Sequence, residues 1–190
     1  LGVSEENIMV VCTHTHSAPT AMLLRGCGEM DSDYVGSLPS KFTESASMAY
    51  NNMHKAKVGF GRGQTEVAFN RVIPNGPVDR EVRVLHFGDR RSAPLGTLFN
   101  YSCHAVSVDL RTEDALYVSA DWPGYAISSL EESKWGQGFF LQSACGDIDP
   151  LVAWHMRGFD AAEEVGRKVA DGVLTALNGI KLQDCKELRV

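Results

Sequence analysis

The sequence lacks the features that mark membrane-spanning and nucleic-acid-binding proteins. It has no apolar run close to the roughly 20 residues that cross a bilayer, and no charged segment followed by an apolar one opens the chain. Asp and Glu outnumber Lys and Arg by 24 to 18, giving a net charge of -6. Because neutralising phosphates requires an excess of basic residues, a nucleic acid is not an expected partner.

Cysteine is too scattered for a disulfide framework. The five cysteines are an odd number and include no CxxC pair, which also argues against a cysteine-only zinc site. Cys12, Cys103 and Cys145 each end an apolar run, where a free cysteine is commonly a small buried hydrophobe. Unpaired cysteines favour a reducing compartment such as the cytoplasm, whereas secretion stays open if a signal segment precedes Leu1.

Length and pattern predict one α/β domain without internal repeats or low-complexity linkers. The chain has 190 residues, of which 44% are hydrophobic and 22% charged, as is usual for a globular domain. Helices are predicted at 32–54, regular from about 40 because of Gly36 and Pro39, and at 123–133 and 160–177. Strands are predicted at 8–11, 57–67, 82–87, 95–102 and 138–142. We therefore expect a mixed sheet with flanking helices and a polar site at the carboxyl ends of strands.

Two histidines follow the apolar run 8–11, which is typical of a buried strand. If the extended backbone persists through Thr15, side chains two positions apart share a face, so His14 and His16 project into one cleft. Imidazole is the commonest metal ligand in proteins, and one such pair needs one or two further ligands to form a catalytic zinc site. The structural alternative is two histidines bonded to loop carbonyls.

Polar residues also follow two other predicted strands. His104 follows 95–102, and Asp147 and Asp149 follow 138–142. Ligands of open α/β sheets bind beyond the carboxyl ends of strands, so these side chains should converge with the histidines. Two or three imidazoles and oxygen ligands would hold zinc, with an open position for a water whose pKa falls to about 7. Either aspartate would orient a histidine or act as general base, and the alternative is an Asx turn.

Six segments of the chain occur in the order and approximate spacing of a known enzyme family. They lie at 13–19, 69–71, 79–85, 100–104, 119–124 and 146–150. On these segments, and over nearly its whole length, the chain resembles the N-terminal catalytic domain of the neutral/alkaline non-lysosomal ceramidases. Six linked motifs are far more specific than any one of them.

The resemblance implies a zinc-dependent hydrolase that cleaves an amide (N-acyl) bond with a metal-activated water. It implies a lipid-like N-acyl substrate, because the family frees a fatty acid from sphingosine. His14 and His104 would be zinc ligands, and His16 and Arg71 would face the substrate or its polarised carbonyl. Asp147 and Asp149 complete the candidate catalytic set.

Two departures from the family pattern qualify this hypothesis. Ceramide-cleaving members carry a serine where this chain has Asp149. A carboxylate at that position would repel a developing oxyanion, so this difference argues against ceramide in particular as the substrate. The family's remaining zinc ligands, a glutamate and a tyrosine, come from downstream of anything matching residue 190. We therefore expect residues 1–190 to be a single domain from a longer chain, or a shorter relative completed by Asp121, Asp147 or water.

Two other functions remain open at this stage. One is a non-catalytic ceramidase-like domain that binds a lipid, sugar or metal without turnover, which Asp149 and the missing ligands would explain. The other is hydrolysis of a different bond, such as an ester.

Overall fold

The computed structural model describes residues 2–26, 28–108 and 117–185. Short 3-10 turns lie at Glu5–Asn7 and Val152–Trp154. In chain order the longer elements are α1 (Ser32–Asn51), β1 (Lys57–Gln64), β2 (Ala68–Asn70), β3 (Glu81–Gly88), β4 (Pro94–Tyr101), α2 (Asp121–Glu132), β5 (Gln137–Gln142), β6 (Ile148–Pro150), α3 (Phe159–Gly179) and β7 (Gln183–Asp184). None of the helices in these ranges is long and apolar enough to span a membrane.

The main sheet is mixed and has the strand order β5-β4-β3-β1-β7. Strands β4 and β5 are parallel, and the other neighbours in this sheet are antiparallel. Strands β2 and β6 form a separate antiparallel pair, in which Phe69 lies opposite Asp149. The predicted α/β fold with a mixed sheet and flanking helices is confirmed.

Helices α2 and α3 pack against each other and cover one face of the main sheet. The predicted apolar stripe of α3 is buried there, and consists of Ala162, Val165, Val169, Val173 and Leu177. Strand β1 turns Gly59, Gly61 and Gly63 to the same side, and a Cβ built on Gly63 would lie 1.9 Å from the Gly172 carbonyl oxygen of α3. Glycine therefore lets the helix lie almost directly on the strand.

The prediction that residues 8–11 form a buried strand is wrong. Ile8, Met9 and Val10 are 57%, 62% and 71% exposed, and the segment is not a strand. In the described residues, the chain that follows this segment makes its first β-bridge at Thr15, which pairs with Ala105. An apolar run indicates burial only where another element covers it, and composition cannot supply that element. Cys12 is exposed for the same reason, whereas Cys103 and Cys145 are buried as predicted.

Helix α1 also differs from its prediction. It begins at Ser32, as predicted, and is regular from there rather than from about residue 40, because the Asp31 carboxylate caps it by accepting a hydrogen bond from the Tyr34 amide at 2.8 Å. Pro39 lies inside the helix, where it removes only one backbone donor from a 20-residue element. No residue of α1 is buried in the described part of the chain.

Candidate active site

The segment around His14 and His16 is held at the end of β4 by its backbone and by Thr15. Thr15 forms a parallel bridge with Ala105, and the His16 amide donates to the Ala105 carbonyl at 3.3 Å. The Thr15 hydroxyl donates to the Ser119 carbonyl at 2.6 Å, which ties the same segment to the approach of α2. These contacts place the two histidines on either side of an anchored residue.

His14 and His16 meet, although the backbone is not extended as the sequence argument assumed. His14 has a φ of 62°, in the left-handed region that non-glycine residues rarely adopt. The two rings are nevertheless edge to face with centroids 4.8 Å apart, and their Nε2 atoms are 3.4 Å apart. Both residues are exposed, so this side of the site is open to solvent.

His104 joins them from the end of β4, and only 5% of it is exposed. Its ring centroid is 4.9 Å from that of His14 and 5.5 Å from that of His16. His104 Nδ1 lies 3.0 Å from the Ile148 carbonyl oxygen. A carbonyl can only accept a hydrogen bond, so Nδ1 carries the proton and the Nε2 lone pair is left for a ligand.

Cys145 is the site residue that the sequence argument missed. One ligand atom each from His14, His104 and Cys145 lies within 4.8 Å of the other two, so the group could hold a metal ion after small side-chain movements. The sequence predicts Cys145 to be a buried hydrophobe, and at 8% exposure it is one. Its position directly before the 146–150 motif was the one signal in the sequence that could have identified it.

Asp149 lies behind His104 and is 4% exposed. Its Oδ1 is 3.2 Å from His104 Nδ1 and 3.5 Å from Arg71 Nη1. Both nitrogens are within ion-pair distance, but neither meets hydrogen-bond geometry with Oδ1, which has no hydrogen-bond partner in the described residues. The carboxylate therefore influences His104 and Arg71 through its charge, and its Oδ1 is a buried acceptor without a hydrogen-bond partner in the described residues.

Arg71 and Asn70 hold the segment that carries both aspartates. Arg71 Nη2 donates to the Gly146 carbonyl at 2.8 Å, and the Arg71 amide donates to the Asp147 carbonyl at 2.8 Å. Asn70 Nδ2 donates to Asp147 Oδ2 at 2.7 Å. Asp147 therefore helps to fix this segment. Arg71 positions the same segment through its hydrogen bonds and also contributes a positive charge to the site.

Asp121 supports the site from beneath and is unsuited to bind a metal. Its carboxylate accepts hydrogen bonds from the amides of Ser107, Val108 and Trp122 at 3.0, 2.8 and 2.7 Å. The neighbouring Trp122 indole donates to the His104 carbonyl at 2.9 Å. These bonds occupy most acceptor positions of a carboxylate, so the alternative in which Asp121 completes a metal site is not favoured.

The surroundings of the two exposed histidines favour neutral imidazole. Partial burial lowers the pKa of His14 below its ordinary value, and repulsion from His104, His16 and Arg71 lowers it further. Partial burial and His104 likewise lower the pKa of His16, against opposing contributions from Asp121 and Asp149. Burial raises the pKa of the Cys145 thiol. Neutral imidazole is the form that binds metals.

His86 lies in strand β3 as a buried structural residue. It is 2% exposed, and its Nδ1 is 2.9 Å from the Thr97 hydroxyl oxygen. Its ring stacks edge to face on Trp135. Burial lowers the pKa of His86 below its ordinary value of 6.5.

We expect His86 to make the folded protein sensitive to acid. Because its folded pKa lies below the ordinary value of 6.5, the unfolded chain binds a proton more readily, so the free energy of unfolding falls as the pH drops below 6.5. Urea unfolding in a chelator from about pH 8 to about pH 5 should show a shallower decline for His86→Gln than for the parent. The exposed His54→Gln variant is the control. Equal slopes for parent and His86→Gln would contradict this assignment.

The fold is that of part of neutral ceramidase. Neutral ceramidase from Pseudomonas aeruginosa superposes with a TM-score of 0.77 at 21% identity, over 94% of this chain and 32% of that chain. A ceramidase complexed with C2 superposes with a TM-score of 0.79 at 21% identity, again over 94% of this chain and 32% of that one. No protein-family model and no curated protein matches the sequence. The expected resemblance is confirmed at the level of fold, and the chain spans 32% of the length of these structures.

Proposed function

We propose that this chain belongs to a zinc-dependent hydrolase that cleaves an amide (N-acyl) bond with water. The observation that carries the proposal is the approach of His14 and His104, whose ligand atoms lie within 4.8 Å of each other. They do so beside Arg71 and Asp149, in a fold shared with neutral ceramidase. A lipid-like N-acyl substrate, and with it a place in sphingolipid metabolism, is part of the proposal.

The donor set suits zinc. Zinc accepts imidazole nitrogen readily, and a catalytic zinc site keeps one position open. His104 presents Nε2 because Ile148 occupies Nδ1, and His14 is exposed beside it. When bound, zinc supplies Lewis-acid chemistry that polarises a carbonyl and makes water a better nucleophile at neutral pH.

The remaining residues of the site would bind the substrate and accept a proton from water. The Arg71 guanidinium, 40% exposed, offers positive charge to the oxygen that becomes negative as water attacks the substrate carbonyl. Asp149 Oδ1 has no hydrogen-bond partner in the described residues and is the atom that would accept a proton from the attacking water. His16 faces the same opening and would hydrogen-bond the substrate. Asp147 supports these residues through Asn70.

Asp149 favours a second candidate function, that of a domain that binds its ligand without hydrolysing it. A buried carboxylate stands close to where negative charge would develop, and Arg71 and His104 are needed to offset it. In that case the domain would hold a metal, lipid or sugar and show no hydrolysis.

Zinc content and hydrolysis, measured on the same preparation, test the proposal. The chain is purified without chelator, analysed for metals, and assayed with fluorogenic N-acyl amides and matched esters. Near-stoichiometric zinc with amide hydrolysis that chelation abolishes and zinc restores supports the proposal. Zinc without turnover supports the binding domain. Zinc at 100 times its Kd should raise the free energy of unfolding by about 2.7 kcal/mol, and no change would refute zinc binding.

A further inference from the structure

We propose that the side of the main sheet opposite α2 and α3 is an interface, and that further polypeptide of the same protein, outside residues 1–190, covers it. Large apolar side chains form a row across four neighbouring strands on this side, because the strand registers place them opposite one another. We call this set the open row, and its members are Phe60 in β1, Leu85 in β3, Leu98 in β4 and Phe139 in β5.

Both helices that pack on the main sheet in the described residues lie on its other side. A Cβ built on Gly63 of β1 would meet α3, and one built on Gly138 of β5 would meet α2. Successive side chains of a strand point to opposite sides, and Phe60 and Phe139 are an odd number of positions from these glycines. The open row therefore points away from both helices.

The exposure of the open row is unusual for a side of a sheet that faces water. Phe60 is 55% exposed and Phe139 is 47% exposed, and Leu85 and Leu98 between them are half-buried. A sheet with one side in water carries mainly polar residues on that side, and sheets with parallel strands are usually covered on both. A continuous apolar row is typical of a side that packs against another layer.

The charged residues beside the open row neutralise one another. Arg83 is paired with Glu81 at 2.9 Å and with Asp79 at 3.1 Å, and Arg62 lies 3.3 Å from Glu81. These two arginines and two carboxylates leave no net charge at this end of the sheet. Because an unbalanced positive charge is what attracts anionic lipids and nucleic acids, the surface fits an apolar protein layer better than either of them.

The length of the similar structures indicates where that layer comes from. Both ceramidase structures share the fold over 94% of this chain and only 32% of their own length, so in each the fold is part of a longer polypeptide. Helix α1 is a second uncovered surface, since none of its 20 residues is buried in the described part of the chain and Phe42 and Met48 are 53% and 60% exposed. Helices owe most of their stability to packing. Permanent cover by the same polypeptide explains both surfaces, whereas a transient partner would leave them bare.

Hydroxyl-radical footprinting with mass spectrometry tests the inference, because the oxidation rate of a phenylalanine follows its exposure. Residues 1–190 alone are compared with the chain extended at both ends to the limits of its natural gene. In the extended chain, Phe60 and Phe139 should be oxidised as slowly as Phe99, which is 0% exposed. In residues 1–190 alone they should be oxidised faster than Phe99, whose protection shows that the core is folded.

Substitutions give a second readout. Phe60→Thr and Phe139→Thr remove the ring and keep a residue that favours strands. In the extended chain each should lower the Tm by at least about 4 °C, as the loss of a buried aromatic ring does. In residues 1–190 alone the shift should be less than half as large. Ile73→Thr, at a loop residue that is 54% exposed, is the control and should shift neither Tm.

Four results would overturn the inference. Rapid oxidation of Phe60 and Phe139 in the extended chain would show that the open row faces water. Protection in residues 1–190 that rises with protein concentration, with a dimer in light scattering, would assign the row to a second copy. Protection that requires phosphatidylcholine vesicles would assign it to a lipid surface. A gene that encodes nothing beyond these residues would leave no segment to cover the row. None of these results depends on hydrolysis or on a metal, so the proposed function is tested separately.

Discussion

Replacing His104 with alanine should remove zinc from the protein and reduce amide hydrolysis at least about 1,000-fold. His104 contributes the buried nitrogen of the site, and its Nε2 is directed away from Ile148. A metal ligand supports several kcal/mol of transition-state stabilisation, and each 1.36 kcal/mol is a factor of ten in rate. Elemental analysis and kcat/KM for an N-acyl substrate measure the two effects.

Two variants keep this experiment interpretable. His54→Ala removes an exposed histidine at the end of α1 and should leave zinc and activity at the parent level. His104→Gln fills most of the imidazole volume, so it shows whether a loss in His104→Ala reflects the missing nitrogen or a collapsed pocket. Full zinc content and full activity in both His104 variants would exclude His104 as a ligand.

Trp122→Ala should lower the free energy of unfolding by about 3–5 kcal/mol, the usual cost of removing a large aromatic side chain from a core. Trp122 is 0% exposed and packs edge to face on Tyr101 and Phe140. Its indole also donates to the His104 carbonyl at 2.9 Å, so it joins the core to the site. Urea unfolding of apo protein measures the loss.

Trp122→Phe separates the two contributions. Phenylalanine keeps most of the packing but leaves the buried His104 carbonyl with only the weak Cys103 thiol donor at 3.7 Å, a loss of about 1–3 kcal/mol. Tyr50→Ala, at an exposed position of α1, should change stability by less than about 0.5 kcal/mol. A Trp122→Phe variant as stable as the parent would show that the indole hydrogen bond contributes nothing to the fold.

The periodicity of apolar residues was enough to predict most of the main sheet and α3, because the apolar residues of these elements are buried, as their pattern implies. Strand β3 alternates buried and half-buried residues from end to end, and the apolar stripe of α3 is entirely buried against α2 and the sheet. The same reasoning failed for 8–11, whose apolar residues have no covering element in the described residues. Helix α1 forms where its pattern predicts, but none of its residues is buried. A pattern shows which face is apolar, whereas burial depends on what packs against it.

The candidate site was predictable in part for a different reason. Polar residues after apolar runs identified His14, His16, His104 and Asp149, which do gather at one place. Three features could not be read from the sequence. The three-residue pair of β2 and β6 is too short to show a period. The left-handed backbone of His14 is not indicated by its residue type. The nearness of Cys145 to His14 arises only in the folded chain.

The glycines of β1 have a consequence for how this domain tolerates substitution. On one side of the strand, Phe60 and Arg62 point outward, where 55% of Phe60 and 64% of the Arg62 side chain are exposed. On the other side, an added Cβ would lie 2.3 Å from an Ile180 side-chain carbon at Gly59 and 1.9 Å from the Gly172 oxygen at Gly63. The tolerance of β1 to substitution should thus alternate from one residue to the next, with a period of two. A search for distant relatives would do better to weigh those spaced glycines than to count overall identity.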